Sequence, residues 1–192
     1  MRNRLSLASF LPSDDMMMTS YIALLRGVNA GKERRIDMKT LKLLLEHPGF
    51  TNVSTYINSG NILFTSDKPK SVLQTDMQAI IQKEFGFDVP VLIKTKKEMK
   101  KIADAIPFDW KNDSAQRTDV AYLFDAIDSK KVVKILPLNK AYADIRYVKG
   151  AVIWHMMREN YNKSRLNGII KTDLYQLMTV RNVNTARFLA QN

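Results

Sequence analysis

Cysteine is absent from this sequence, and histidine occurs only twice. The lack of thiols excludes disulfides, thiolate nucleophiles, iron–sulfur clusters and cysteine-ligated zinc, and it fits a reducing cytoplasm. The two histidines leave few places for histidine-based catalysis. We interpret His47 as a residue at a helix end and His155 as a packed residue of a strand.

Long hydrophobic runs are also missing. No stretch approaches the roughly 18 consecutive apolar residues that a membrane-spanning helix needs. Charged residues make up 26% of the chain and are spread along its whole length. We therefore expect a soluble, cytoplasmic protein without a membrane partner.

Apolar residues are plentiful, at 45% of 192, which is enough to bury a core in one domain or in two small ones. Residues 1–17 stand apart from this pattern. Their apolar stretch stops at Pro12, and Asp14 and Asp15 follow where a signal peptide would have its cleavage site. We interpret residues 1–17 as a disordered N-terminal extension.

Positive charge dominates, with 30 lysines and arginines against 19 acidic residues and a formal net charge of +11. A positive field of this size favours polyanions such as nucleic acid, or phosphorylated small molecules. A basic surface that serves solubility alone is the competing interpretation. The charge therefore indicates a class of partner without identifying one.

The first half of the chain has the element order βαββαβ, which is typical of a ferredoxin-like fold. The patterns predict strands over 21–25, 53–58, 61–66 and 89–95, and helices over 38–47 and 69–85. Asp37 is placed to cap the first helix, and Gly86 to end the second. We predict a ferredoxin-like subdomain over residues 18–95.

The second half carries similar elements in a similar order, less regularly. It predicts helices over 96–106, 129–136, 164–178 and 183–190, a strand over 119–125, and a hairpin of 145–149 with 151–157 turned at Gly150. We therefore predict a second α+β subdomain over 96–192, with the linker near 96–111. The fold class is α+β, with two ferredoxin-like subdomains of which the second is less regular.

A hairpin around Ser59-Gly60 is the most distinctive local feature. A two-residue turn would pair Asn58 with Asn61, and the side chains of the paired strands would then alternate between two faces. One face is apolar and should meet the helices. The other is mixed, with Tyr56 and Leu63 among its residues, so we expect the second half to cover part of it.

The turn of this hairpin should meet the loop that follows the first strand, because strands one and three are neighbours in a ferredoxin-like sheet. That contact would gather Arg26, Asn29, Asn58, Ser59 and Asn61 at one rim. A guanidinium fork, amides and glycine backbone suit an anion or a nucleotide edge. Asparagine, serine and glycine are also ordinary turn residues, and a purely structural role is the alternative.

A second polar cluster, residues 179–185, precedes the last predicted helix. Free backbone N–H groups at a helix start, with Arg181 nearby, would make a binding site for an anion. The same residues would equally serve as a helix cap, with Asn182 or Asn184 as the capping residue.

Three separated stretches together resemble the bacterial domain of unknown function 1697 family. They are YIALLRGVN at 21–29, TYINSGNI at 55–62 and RNVNT at 181–185, and the resemblance covers about residues 18–191. It implies two α+β subdomains and a cytoplasmic protein. It implies no established activity, so no catalytic residue follows from it.

For function we hypothesise binding of a polyanion (nucleic acid) or of a phosphorylated small molecule, at Arg26, Asn29, Asn58, Ser59, Asn61, Arg181 and Asn182. An enzyme acting on such a molecule, and a structural or partner-binding protein without a ligand, are the alternatives. No Walker loop, dinucleotide fingerprint, nucleophile elbow or metal-ligand spacing occurs, so no cofactor is predicted.

Overall fold

The computed structural model describes residues 18–46 and 49–192, so the predicted extension 1–17 and His47 lie outside the described residues. Two four-stranded antiparallel sheets and their helices confirm the α+β class. Within the described ranges, no helix combines the length and the apolar character that crossing a membrane requires.

The first sheet has the strand order β2-β3-β1-β4, and its elements follow the predicted order βαββαβ. Asp37 Oδ1 accepts hydrogen bonds from the amides of Lys39 and Thr40, which fixes the start of α1. Gly86 ends α2 in the left-handed conformation, with φ at 78°. The elements are β1 (Thr19–Leu25), α1 (Met38–Leu45), β2 (Thr51–Tyr56), β3 (Asn61–Ser66), α2 (Lys70–Phe85) and β4 (Val91–Thr95).

The second sheet repeats this arrangement, in the order β6-β7-β5-β8. The hairpin predicted to turn at Gly150 is confirmed, because Val148 pairs with Ala151. The elements are α3 (Lys96–Asp104), β5 (Gln116–Leu123), α4 (Val132–Ile135), β6 (Asp144–Val148), β7 (Ala151–Met157), β8 (Met178–Asn182) and α5 (Val183–Gln191), with 3₁₀ segments at Asp125–Ile127, Arg158–Asn160, Leu166–Lys171 and Asp173–Leu177.

The helix predicted over 164–178 was wrong. Leu166–Lys171 and Asp173–Leu177 form two 3₁₀ segments, which we call the 3₁₀ strap, and Met178–Asn182 forms strand β8. Met178, the last residue of the predicted helix, instead begins β8, whose five residues lie opposite Asp119 to Leu123 of β5. At this residue, long-range pairing overrides a helical spacing of apolar residues.

The predicted two-residue hairpin turn was also wrong. Tyr56 pairs with Asn61, so the turn contains four residues, 57–60. Ile57 takes a left-handed conformation with φ at 48°, and Asn61 Nδ2 closes the turn by donating to the Tyr56 carbonyl at 2.9 Å. Because the shift amounts to two residues, the strand side chains keep their predicted faces.

The mixed face of the first sheet is covered, as expected, by the second half of the chain. Tyr56 and Leu63 pack against a central core that both sheets share with α3 and α5. The Tyr56 ring stacks on Phe188 of α5, with ring centroids 3.6 Å apart and planes 12° apart. This central core fixes how the end of β1 meets β8, which is where the candidate site lies.

Candidate functional site

The loop after β1 lies against the β2–β3 turn through main-chain and amide contacts. The Leu25 amide donates to the Gly60 carbonyl at 2.8 Å, and Asn29 Nδ2 donates to the Asn58 carbonyl at 2.8 Å. Asn29 also bonds both backbone groups of Ile36, at 2.9 Å each. Its side chain therefore closes the loop, and those bonds engage both its amide atoms.

Gly60 permits the close approach of this turn to the loop. A Cβ at this position would lie 2.6 Å from Leu25 Cβ and 2.8 Å from Val28 Cγ2, distances that real Cβ atoms do not show. Its φ of 73° adds a second requirement for glycine. The turn can therefore sit against the end of β1 only with glycine at this position.

Arg181 of β8 crosses from the second half to this junction, and it is buried. Its Nε donates to Asn61 Oδ1 at 2.6 Å, and Nη2 donates to the carbonyls of Leu25 at 2.9 Å and Gly60 at 3.3 Å. Nη1 donates to Thr179 Oγ1 at 2.9 Å and to the Val180 carbonyl at 2.8 Å. All five N–H groups of the guanidinium are thereby engaged.

Every one of these five partners is electrically neutral. Among the residues that the structure describes, no carboxylate forms a salt bridge with Arg181. Burial lowers the pKa of Arg181 to about 10. Buried charges are normally paired with an opposite charge, whereas Arg181 is a buried cation that forms no ion pair with any described residue.

Arg26 stands at the mouth of the same junction and is half-buried. Its Nε donates to the Tyr175 carbonyl at 3.2 Å, and its guanidinium carbon lies 5.6 Å from the centre of the Tyr175 ring. Its two terminal amino groups have no hydrogen-bond partner within the described part of the chain. Four N–H donors of Arg26 are therefore free to bind a ligand.

Arg26 and Arg181 line one cavity of about 170 Å³, which we call the Arg26 cavity. Ser59 and the exposed Gly27 belong to it as well. No acidic side chain contributes to its wall, which consists of Leu25, Arg26, Gly27, Val28, Ala30, Ser59, Tyr175, Met178, Thr179, Val180 and Arg181. Two positive charges thus face a small space without compensation, an arrangement that attracts an anion.

The other predicted site residues lie elsewhere or have structural roles. Asn61 is fully buried and bonds Arg181 and the hairpin turn. Asn182 caps α5, because its Oδ1 accepts from the Thr185 amide at 2.9 Å. Asn29 and Asn58 line a separate open groove of about 660 Å³ beside α1.

That groove differs from the Arg26 cavity because side chains of both charge signs line it. Arg35 and Lys39 lie there together with Asp37, whose carboxylate accepts hydrogen bonds at the start of α1. Hydrogen bonds from the Thr40 and Lys39 amides lower the pKa of Asp37, which keeps the group ionised. An anion there would meet this negative charge as well as the two cations, whereas the Arg26 cavity has no acidic side chain in its wall.

Sequence patterns did not reveal Tyr175, which forms one wall of the Arg26 cavity. It lies in the 3₁₀ strap, where a continuous helix was expected. No group of three or more histidine, aspartate or glutamate side chains within the described ranges is arranged to hold a metal ion.

The model of the family "Protein of unknown function (DUF1697)" matches residues 18–154. The chain belongs to this family. The match includes Arg26, Ser59 and the hairpin turn, and it ends before Arg181. No curated protein matches the sequence.

A solved structure extends the likeness of this DUF1697 member over most of the fold. The structure is that of a conserved bacterial protein from Streptococcus pneumoniae, 26% identical in sequence, with a TM-score of 0.79. The comparison covers 91% of this chain and 98% of the other.

Proposed function

We propose that this DUF1697 protein binds the anionic group of a small phosphorylated molecule in the Arg26 cavity. The observation that carries the proposal is the pair of guanidinium groups, Arg26 and Arg181, on the wall of one small cavity without an acidic residue. A bound phosphate would supply the counter-charge that Arg181 lacks. Removing that electrostatic penalty favours binding.

The two arginines would contribute differently. All five N–H groups of Arg181 donate hydrogen bonds to neutral acceptors, so it would act on the ligand through its charge alone. Arg26 retains four donors in the planar arrangement that pairs with two phosphate oxygens. The Ser59 hydroxyl adds a further donor at the wall of the cavity.

The size of the cavity favours a small ligand over a nucleic acid strand. At about 170 Å³, it is smaller than the roughly 300–1,000 Å³ pockets that hold drug-sized ligands. It accommodates one anionic group and little more. A nucleic acid would present a row of phosphates, and a single small cavity does not match such a row.

Base stacking on the first sheet is excluded by packing. Ferredoxin-like RNA-binding modules stack bases on an open sheet face, whereas here α3, α5 and the second sheet share a core with that face. Tyr56, an aromatic side chain on that face, is stacked on Phe188. Backbone contact by lysine and arginine is the form of nucleic-acid binding that stays open.

The finer description of the fold is part of the proposal. We infer that residues 18–95 form a ferredoxin-like subdomain in a cytoplasmic protein, and that 96–192 form a second, less regular one. The identical strand order of the two sheets supports this division. The site would then lie where the two subdomains meet.

The test is isothermal titration calorimetry with inorganic phosphate and ribose 5-phosphate at low ionic strength. We expect Arg26→Ala to weaken binding by roughly 10-fold to 100-fold, since hydrogen bonds to charged groups contribute about 1.5–3 kcal/mol. Arg146→Ala is the matched control, because Arg146 also stacks on an aromatic ring, that of Trp110, and lies outside the cavity.

Equal weakening by the two variants would refute the site, because it would show a response to net charge alone. Short oligonucleotides titrated at increasing salt test the alternative partner. Oligonucleotide affinity that falls steeply with salt and is unchanged by Arg26→Ala would favour a nucleic acid partner bound elsewhere on the basic surface.

A further inference from the structure

Ser59 and Arg181 both line the Arg26 cavity, and the buried Asn61 connects them by hydrogen bonds. Arg181 Nε donates to Asn61 Oδ1 at 2.6 Å, and Asn61 Nδ2 donates to Ser59 Oγ at 3.0 Å. We call this series the Ser59 hydrogen-bond chain. It leads from a buried cation to a hydroxyl group at the wall of the cavity.

The direction of this chain follows from the donors and acceptors present. A guanidinium only donates hydrogen bonds, so the Asn61 atom that faces Arg181 is the oxygen. The Tyr56 carbonyl only accepts, and Asn61 Nδ2 donates to it at 2.9 Å. The two N–H groups of the Asn61 amide are thus engaged, one with Tyr56 and the other with Ser59. The Ser59 oxygen is therefore an acceptor within the chain.

The same hydrogen bonds decide what the Ser59 hydroxyl can offer to a ligand. A hydroxyl has one proton and two lone pairs. Asn61 donates to one lone pair of Ser59, whereas the Ser59 proton has no acceptor within the described part of the chain. Hydrogen bonds in series polarise one another, so the charge of Arg181 strengthens the donor at the far end. Ser59 is therefore a polarised O–H donor that is available to a ligand in the cavity.

The other polar side chains of the wall favour a ligand that accepts hydrogen bonds. Four N–H groups of Arg26 are free donors. Thr179 Oγ1 accepts from Arg181 at 2.9 Å and donates its own proton to the Leu25 carbonyl at 3.3 Å. No described residue contributes a carboxylate or a side-chain amide to this wall. A protonated phosphate oxygen would find none of these groups to accept its proton.

We infer that the Arg26 cavity selects a doubly charged anion whose outer oxygens all accept hydrogen bonds, and that Ser59 donates to one of them. The dianion of a phosphate monoester is such a group, whereas its monoanion retains a proton. Two cations in one wall also favour two negative charges over one. A phosphate diester, as in a nucleic acid backbone, has one charge and is the weaker ligand. This inference rests on the proposed function, because it concerns the same cavity.

The test is calorimetry on the full chain with methyl phosphate and with inorganic sulfate, at about pH 5 and about pH 7.5 and at constant ionic strength. Phosphate monoesters lose their second proton near about pH 6, so the dianion is roughly a tenth of the total at the lower pH. We expect the association constant of methyl phosphate to rise roughly tenfold between the two pH values.

Sulfate keeps its double charge over this interval, so we expect its association constant to be the same at both pH values. The titratable side chains of the wall are Arg26, Tyr175 and Arg181. None of them is a histidine or a carboxylate, the groups that ordinarily titrate between about pH 4 and 7. Sulfate therefore separates ionisation of the ligand from ionisation of the protein.

Ser59→Ala tests the hydroxyl donor. We expect it to weaken both ligands roughly tenfold or more at about pH 7.5, because one hydrogen bond to a charged group is lost. Ser54→Ala is the matched control, since Ser54 is an exposed serine of β2 outside the cavity, and its affinities should equal those of the unaltered protein. Thermal unfolding of both variants checks that they fold.

The inference and the proposed function fail in different ways. Binding of methyl phosphate that is lost in Arg26→Ala but is equal at the two pH values would overturn selection of the dianion and leave the phosphate site standing. Absence of sulfate binding, or a pH change for sulfate that parallels that of methyl phosphate, would overturn it as well. Equal affinities of Ser59→Ala and Ser54→Ala would refute the role of the hydroxyl. Absence of binding for both ligands would refute the Arg26 cavity itself.

Discussion

Replacing Arg181 by lysine tests whether this side chain joins the two halves as the structure indicates. The guanidinium donates five hydrogen bonds, to Asn61, Thr179, Val180, Leu25 and Gly60. An ammonium group has three donors, so at least two of these five hydrogen bonds are lost. At about 1.5–3 kcal/mol for each hydrogen bond to a charged group, we expect a loss of about 3–6 kcal/mol in the free energy of unfolding.

Urea unfolding, followed by circular dichroism, measures this loss through the midpoint and the slope of the transition. Arg187→Lys is the matched control, because Arg187 makes one hydrogen bond, to the Pro107 carbonyl at 2.9 Å. Lysine can replace that bond, and we expect a change within about 1 kcal/mol. If Arg181→Lys costs no more than Arg187→Lys, the role assigned to Arg181 is wrong.

Three further predictions concern stability. Gly60→Ala should destabilise the protein far more than Gly27→Ala in urea unfolding, because the two glycines have similar positive φ but a Cβ at Gly27 meets nothing within 4 Å; similar losses would contradict this. Ile57→Asn should raise the free energy of unfolding by about 1 kcal/mol, since it relieves left-handed strain at a half-exposed side chain; an unchanged or lower value would speak against strain. Burial would raise the pKa of Asp128, but hydrogen bonds from Lys149, the Gly150 amide and the Tyr147 hydroxyl outweigh it and lower the pKa below 3.8. The stability that ionised Asp128 contributes is present above about pH 3.8 and is lost as pH falls through its lowered pKa. In a plot of melting temperature against pH between about 2 and 7, Asp128→Asn should therefore show a shallower fall on the acid side.

Strong local signals made much of the fold predictable. Asp37 precedes a run of apolar residues at helical spacing and marks the start of α1, and Gly86 follows such a run and marks the end of α2. Gly150 between two apolar runs marked the β6–β7 hairpin. In each case the chemistry of a cap or a turn acts within a few residues, so the sequence alone contains the information.

Long-range contacts decided what sequence patterns missed. Strand β8 has only five residues, and its pairing partner β5 lies about sixty residues earlier in the chain. The Ser59-Gly60 pair looks like a two-residue turn, but the contact of Gly60 with Leu25 places it at the end of a longer turn. Both errors arise from neighbours that are distant in sequence.

The candidate site shows the same division. The neighbouring positions of β1 and β3 in the sheet made it reasonable to place Arg26 and Ser59 together, and both line the Arg26 cavity. Tyr175 could not be found in this way, because its position depends on a 3₁₀ strap that no cap or periodicity indicates. Asn29 and Asn61 have amide side chains that could bind an anion, but in the protein these amides form internal hydrogen bonds, to Ile36 and to Tyr56.

The walls of the Arg26 cavity come from both halves of the chain, with β1 and the hairpin turn on one side and β8 and the 3₁₀ strap on the other. A sliding movement of one sheet against the other would change the distance between Arg26 and Arg181. An occupant that interacts with both would resist this movement, so binding and mechanical coupling of the halves would rise together. If the chain is cut between β4 and β5, one fragment carries Arg26 and the other carries Arg181. Recovery of phosphate binding on mixing the two fragments would then report their reassembly.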